Sequence, residues 1–134
     1  MQKIITQLFS VLIPNWNGRC HLKECLDSVA KQTFQDFEII MVDNGSSDES
    51  AQYAHEICPT AKILELQKNI GFAAGVNRGI EVAQGEYIVL LNNDTVVDPY
   101  WLENLSRAVC DNPDGWIFAS KLLNYYNRNI IDSA

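Results

Sequence analysis

The stretch NIGFAAGVNRGIEVAQGEYIVLLNNDT, residues 69–95, contains the alternation of helix and strand that decides the fold. Its apolar residues first recur at i, i+4 and i+7, which predicts a helix over 72–83. The run EYIVLL then predicts a strand over 86–91 that leads into a core. Two amides and a carboxylate (92–94) follow directly, and they form either an ordinary turn or a place to hold a metal ion.

Outward from this stretch the chain keeps alternating between short apolar runs and helical patterns. Ser46 and Glu49 fit a capping box that opens a helix. Gly85 is placed to end one helix, and Pro99 to occupy the first position of the next. We predict strands over 8–13, 37–42, 61–66, 86–91 and 116–120, and helices over 18–31, 46–57, 72–83 and 98–111. Such alternation predicts one α/β domain with a mainly parallel sheet.

Composition excludes several classes of protein. The 134 residues are 47% apolar and 20% charged, as in an ordinary soluble domain. No apolar run approaches the ~20 residues of a membrane span, and no signal peptide is recognisable. The net charge of −7 argues against nucleic-acid binding. We expect a protein located in the cytoplasm, or at the inner face of the membrane, in which Cys20, Cys25, Cys58 and Cys110 are reduced thiols.

Polar residues follow each of the first four predicted strands. Binding sites in open parallel sheets lie beyond the carboxyl ends of the strands, so these four exits converge on one edge. Each exit alone also fits a turn or a cap, and Lys68 alone fits a solvated surface lysine. Together they predict a cleft for a nucleotide with a diphosphate, in which Asp43 accepts from a base or ribose. Asp94 would bind a divalent cation that bridges the phosphates.

Three segments, VLIPNWNG, VDNGSSDES and NIGFAAGVNRGIEVAQGEYIVLLNNDT, resemble the family 2 glycosyltransferases of the GT-A fold in their order and spacing. The resemblance covers nearly the whole chain and is strongest to the branch with rhamnosyltransferases of bacterial surface polysaccharides. It implies a Rossmann-like α/β three-layer sandwich, truncated here. It further implies inverting transfer of a sugar from a nucleotide-diphosphate sugar, UDP- or dTDP-linked, to a saccharide or lipid-linked acceptor, assisted by Mn²⁺ or Mg²⁺.

The resemblance also implies a donor site and a metal ligand. The metal ligand is Asp94, in the place of the family's Asp-x-Asp. The first acid of that motif is an amide here, Asn92, which can coordinate but brings no charge, so we expect weaker metal affinity. The donor-binding residues are Pro14, Asn15, Asn17, Asp43, Asn44, Ser46, Lys68, Asn69, Gly71, Asn77, Asn92 and Asn93.

The general base that the resemblance implies has no candidate with a supporting motif in the sequence, Asp132 included. We expect it beyond Ala134, so that residues 1–134 form the nucleotide-sugar-binding portion, inactive without the acceptor-binding portion. A non-catalytic nucleotide-sugar-binding module is the alternative. An oxidoreductase is disfavoured because no Gly-x-Gly-x-x-Gly follows the first strand. A phosphatase with an Asp-x-Asp-x-Thr nucleophile would need an acid at Asn92.

Overall fold

The computed structural model describes residues 7–133 and confirms the α/β alternation. Four strands alternate with four helices, and a small antiparallel hairpin follows them. Within the described residues no helix is both long and apolar enough to cross a membrane. The elements are β1 (Gln7–Asn15), α1 (Arg19–Ala30), β2 (Phe37–Asp43), α2 (Ser50–Ile57), β3 (Lys62–Glu65), α3 (Phe72–Val82), β4 (Gly85–Leu90), α4 (Trp101–Asp111), β5 (Leu122–Leu123) and β6 (Ile131–Ser133).

The main sheet has the strand order β3-β2-β1-β4, and every neighbouring pair is parallel. β1 lies between β2 and β4 and pairs with both along most of its length. In this register Asn15 lies opposite Asp43, and Leu12 lies opposite Leu90. Because all four strands run in the same direction, their carboxyl ends meet at a single edge.

The helices cover both faces of the sheet, which gives three layers. Residues of α1, α2 and α4 pack with one face of β1 and β2 in the larger apolar cluster. The smaller cluster lies on the opposite face, where α3 packs over Leu12, Ile40 and Val42. β1 and β2 are therefore buried on both faces, which explains why their sequences are continuous apolar runs.

The outer strand β4 is covered on one face only. Tyr87 and Val89 pack against the larger cluster. On the other face Ile88 and Leu90 are 37% and 48% exposed, since α3 packs mainly over β1 and β2. The predicted strand is confirmed, but only one of its two faces packs against a core.

The predicted capping box and the predicted strand over 116–120 are wrong, whereas the helix predicted over 46–57 is present as α2. The capping box fails because α2 begins at Ser50. Ser46 instead donates to the carboxylate of Asp43, an acceptor that carries charge and makes the stronger hydrogen bond. The predicted strand over 116–120 is irregular chain, and Trp116 is 93% exposed. No strand of the described residues pairs with that segment, so its apolar character alone does not make it extended.

Two boundaries also move. The helix predicted from 98 begins at Trp101 as α4, and Asp98 accepts from the backbone N–H of Tyr100 in the turn before it. Gly85 does not end α3 but begins β4, where its N–H donates to Ser10 Oγ. A Cβ at Gly85 would lie 2.4 Å from the Ser10 backbone nitrogen, so this glycine lets β4 approach β1.

Replacing Gly85 with alanine should therefore destabilise the sheet. The added methyl meets backbone of β1, which cannot swing aside, so we expect the free energy of unfolding to fall by about 2–3 kcal/mol. Urea unfolding measures the change. Gly115→Ala is the matched control, because its Cβ would first meet the far end of the Phe118 ring, which can move. Equal stability of the two variants would contradict this packing.

Candidate functional site

Asp43, the last residue of β2, lies at the centre of a hydrogen-bond network at the carboxyl edge of the sheet. Its Oδ1 accepts from Asn15 Nδ2 at 2.9 Å and from Ser46 Oγ at 2.6 Å. Its Oδ2 accepts from the Ser46 backbone N–H at 3.0 Å. The side chain is only 4% exposed. Three protein donors thus hold this carboxylate in one orientation.

Asn15 extends the network from β2 across β1 to the exit of β4. Its Nδ2 faces Asp43, and its Oδ1 accepts from Asn93 Nδ2 at 2.7 Å. Asn17 adds a contact from the loop after β1, because its backbone N–H donates to Ser46 Oγ at 2.9 Å. Three of the four predicted exits are therefore joined by side-chain hydrogen bonds.

Asn44 ties the fourth exit, the loop after β3, to the same edge. Its Oδ1 accepts from the Ile70 N–H, and its Nδ2 donates to the Gly71 carbonyl, both at 3.0 Å. Gly71 has φ +92°, a conformation that favours glycine, and its N–H donates to Asn69 Oδ1. This buried amide thus sets the path of the chain into α3.

A cavity of about 270 Å³ opens between these loops. Six of the predicted donor-binding residues line it, together with two aromatic residues that the sequence interpretation missed, Trp16 and Phe72. Both aromatic side chains are more than half exposed. Trp16 has a signal in the sequence, a large aromatic residue within an otherwise polar strand exit, whereas Phe72 is the first residue of α3 and belongs to a helical pattern. The lining residues are Pro14, Asn15, Trp16, Asn44, Asn69, Phe72, Asn92 and Asn93.

The other predicted site residues do not line this cavity. Asp43 and Ser46 accept from the lining residue Asn15, and the Gly71 carbonyl accepts from the lining residue Asn44. Lys68 and Asn77 are exposed. Asn17 lines a different cavity, of about 470 Å³, with Arg19, Cys20, Asp48 and Tyr53.

The polar groups of that second cavity have structural partners. Asp48 accepts from the Arg19 N–H and from the Ser50 N–H, and it thereby caps the starts of both α1 and α2. Burial raises the pKa of Asp48, but these hydrogen bonds and that of the Ser50 hydroxyl outweigh it and leave the pKa below its ordinary value. The Arg19 guanidinium pairs with Glu49 and stacks on Tyr53.

Helix α1 and the turn that follows it support the segment after β4 through three polar side chains. Cys25 Sγ donates to the Asn92 carbonyl at 3.7 Å, Ser28 Oγ accepts from the Val97 N–H, and Gln32 donates to the Asp98 carbonyl. Burial raises the pKa of Cys25 to about 12, so it remains a neutral donor. All four cysteines are free thiols; Cys25 and Cys58 are buried, and Cys20 and Cys110 are exposed.

The residues at this edge can supply only a few of the ligands of a divalent cation. Within residues 7–133 no three His, Cys, Asp or Glu side chains are grouped so that they could hold a metal ion. Asp94 is exposed and is the one carboxylate of the 92–94 stretch, where the other side chains are amides. Such a donor set fits Mg²⁺ or Mn²⁺ that takes most of its ligands from phosphate and water, as these ions do in many nucleotide sites.

The chain matches the sequence model described as Glycosyl transferase family 2 over residues 10–131. The chain belongs to this family. It is 35% identical to glycosyltransferase GlyG of Streptococcus pneumoniae over 96% of the chain, and it spans 42% of the length of GlyG. It is 33% identical to the putative glycosyltransferase EpsH of Bacillus subtilis over 81% of the chain, and it spans 32% of that relative.

Solved structures confirm the GT-A-like fold of this family 2 chain. S. aureus TarS 1-349 in complex with UDP-GlcNAc has a TM-score of 0.74 at 22% identity, covering 87% of this chain and 38% of that one. The mannosyltransferase PcManGT of Pyrobaculum calidifontis in complex with GDP-Man and Mn²⁺ has a TM-score of 0.73 at 24% identity, covering 78% and 33%. Identities this low support the fold alone.

Asp43→Asn should weaken the whole edge. An amide cannot accept from all three donors, and its NH₂ group would face another donor, so we expect the free energy of unfolding to fall by about 2 kcal/mol. Asp94→Asn is the matched control; Asp94 is exposed, and its replacement should change stability by less than about 0.5 kcal/mol. Chemical unfolding of the two variants makes the comparison, and equal losses would contradict a structural role for Asp43.

Proposed function

We propose that this chain binds the nucleotide-diphosphate sugar of an inverting, metal-assisted glycosyl transfer. The observation that carries the proposal is the cavity at the carboxyl edge of the sheet, lined by amides and two exposed aromatic side chains, in a chain of family 2. Related structures have been solved with UDP, with UDP-GlcNAc and with GDP-Man, which supports a nucleotide sugar as the ligand.

The nucleoside would occupy the part of the cavity between the exits of β1 and β3. Trp16 and Phe72 offer flat apolar faces against which a base can stack. Asn69 supplies an exposed amide group that can recognise the polar edge of a base or a ribose, and the buried amide of Asn44 holds the loop that carries it. We propose a uracil or thymine base, and thus a UDP- or dTDP-sugar as donor. Asp43 fixes the loops around this end through Asn15 and Ser46.

The diphosphate would lie toward the exit of β4. The chain has a net charge of −7, so few basic groups are available to balance two phosphates, and Lys68 is the lysine of the exit loops. Asp94 would hold Mn²⁺ or Mg²⁺, with the side-chain amide oxygen of Asn92 beside it. When bound, the cation supplies charge stabilisation to the departing diphosphate. Because Asn92 carries an amide where a second carboxylate could stand, the affinity of the site for the cation depends more strongly on the phosphates.

The proposal gives residues 1–134 the role of the nucleotide-sugar-binding portion and assigns no residue of the chain as general base. The chain spans 42% of the length of GlyG, so transfer is proposed for the whole protein, with the acceptor-binding portion providing the base. We propose a saccharide or lipid-linked acceptor of bacterial surface polysaccharide synthesis, met in the cytoplasm or at the inner face of the membrane, and a rhamnosyltransferase-like donor preference.

The test is thermal unfolding with UDP, dTDP and GDP, each with Mn²⁺ or Mg²⁺. A diphosphate at about 100 times its dissociation constant adds about 2.7 kcal/mol to stability, which raises Tm by several degrees for a domain of this size. Asp94→Ala should reduce that shift, because it removes the one carboxylate that the site offers to the cation.

Asp114→Ala is the control, since it removes an exposed carboxylate from the loop after α4 and should leave the shift intact. A cooperatively unfolding chain whose Tm no diphosphate changes would refute donor binding. A shift that persists fully in Asp94→Ala would refute the role of this carboxylate alone.

A further inference from the structure

Two side-chain amides connect the buried carboxylate of Asp43 to the exit of β4. Asn15 Nδ2 lies 2.9 Å from Asp43 Oδ1, and Asn93 Nδ2 lies 2.7 Å from Asn15 Oδ1. Asn15 is 2% exposed, and both ends of its amide are engaged within the protein. Although Asn15 borders the cavity, it therefore serves other side chains of the protein rather than a ligand.

The polarity of this chain of amides follows from Asp43. A carboxylate only accepts, so the NH₂ end of Asn15 must face it, and the carbonyl end of Asn15 must face Asn93. Asn93 must then turn its own NH₂ toward Asn15. Among the described residues no donor bonds to Asn93 Oδ1, and Asn93 lines the cavity. The oxygen is thus the end of the Asn93 amide that remains for a ligand.

Gly18 makes room for this pair of amides. A Cβ at Gly18 would lie 2.1 Å from Asn93 Nδ2 and 2.5 Å from Asn15 Oδ1. The backbone of Gly18, at φ −107° and ψ 21°, is one that alanine adopts without the strain of a positive φ. What excludes a side chain at this position is therefore the amide pair, and not the conformation of the chain.

We propose that Asn15 is a positioning residue that, over Gly18, holds Asn93 with its carbonyl oxygen toward the diphosphate and its cation. The inference rests on the proposed function and deepens it. The charge of Asp43 at one end of the site decides, through two amides, that an oxygen and not an NH₂ group faces the other end. An oxygen is the ligand that a hard cation takes. This orientation presents an oxygen to the cation without adding a negative charge to the site.

The experiment measures the dissociation constants of UDP, dTDP and GDP by calorimetry, each in Mn²⁺ and in EDTA, for the full chain. The ratio of the EDTA value to the Mn²⁺ value reports the metal-dependent part of binding. We expect Asn93→Ala and Gly18→Ala each to lower this ratio about tenfold, the lower end of the cost of removing a partner of a metal ligand. The affinity in EDTA should stay within about twofold. Asn104→Ala, on the exposed face of α4, is the matched control and should change neither value.

A double-mutant cycle identifies the shared cause. If both substitutions act by breaking the Asn15–Asn93 contact, the double variant Gly18→Ala/Asn93→Ala loses no more of the ratio than Gly18→Ala alone. Additive losses would overturn the inference, as would an unchanged ratio in Asn93→Ala or an equal fall of affinity in EDTA and in Mn²⁺. Should Gly18→Ala fail to fold, an unchanged ratio in Asn93→Ala still overturns the inference. A wild-type chain that binds no diphosphate would instead refute the proposed function.

Discussion

The parallel pairing of β1 with β2, in the register that sets Asn15 opposite Asp43, is the constraint on which the rest of the site depends. It brings the amide within 2.9 Å of the carboxylate at the end of two buried strands. If the pairing moved by one residue, the two side chains would lie on opposite faces of the sheet. The parallel pairing of β1 with β4 brings Asn93 within reach of the same Asn15 side chain, so the end of the central strand β1 organises three of the four loops.

Much of this arrangement could be predicted from the sequence, because the physics involved is local or periodic. Apolar runs identified β1 and β2 as strands, and apolar spacing identified the helices. Parallel strands then require their polar exits to share an edge, which is where Asn44 and Asn69 lie. The family resemblance was confirmed over residues 10–131.

What could not be predicted depends on contacts between residues far apart in the chain. Ser46 resembled a helix cap, but its hydroxyl bonds to Asp43, whose place was fixed by sheet pairing. Phe72 belonged to a helical pattern, and only the fold shows it at a cavity. Lys68 and Asn77 were placed in the site by the resemblance, and they are exposed outside the cavity lining. Sequence motifs thus locate the edge of the sheet better than they assign each side chain.

The most direct test of a single nucleotide pocket formed by four strand exits is an amide ¹⁵N–¹H titration of the chain with the diphosphate that binds it. The account predicts that the resonances which shift fall into four clusters, near 14–16, 44–46, 69–72 and 92–95, and that they titrate together with one dissociation constant. Shifts centred on 17–20 and 48–53, the second cavity, or shifts confined to one of the four loops, would contradict it.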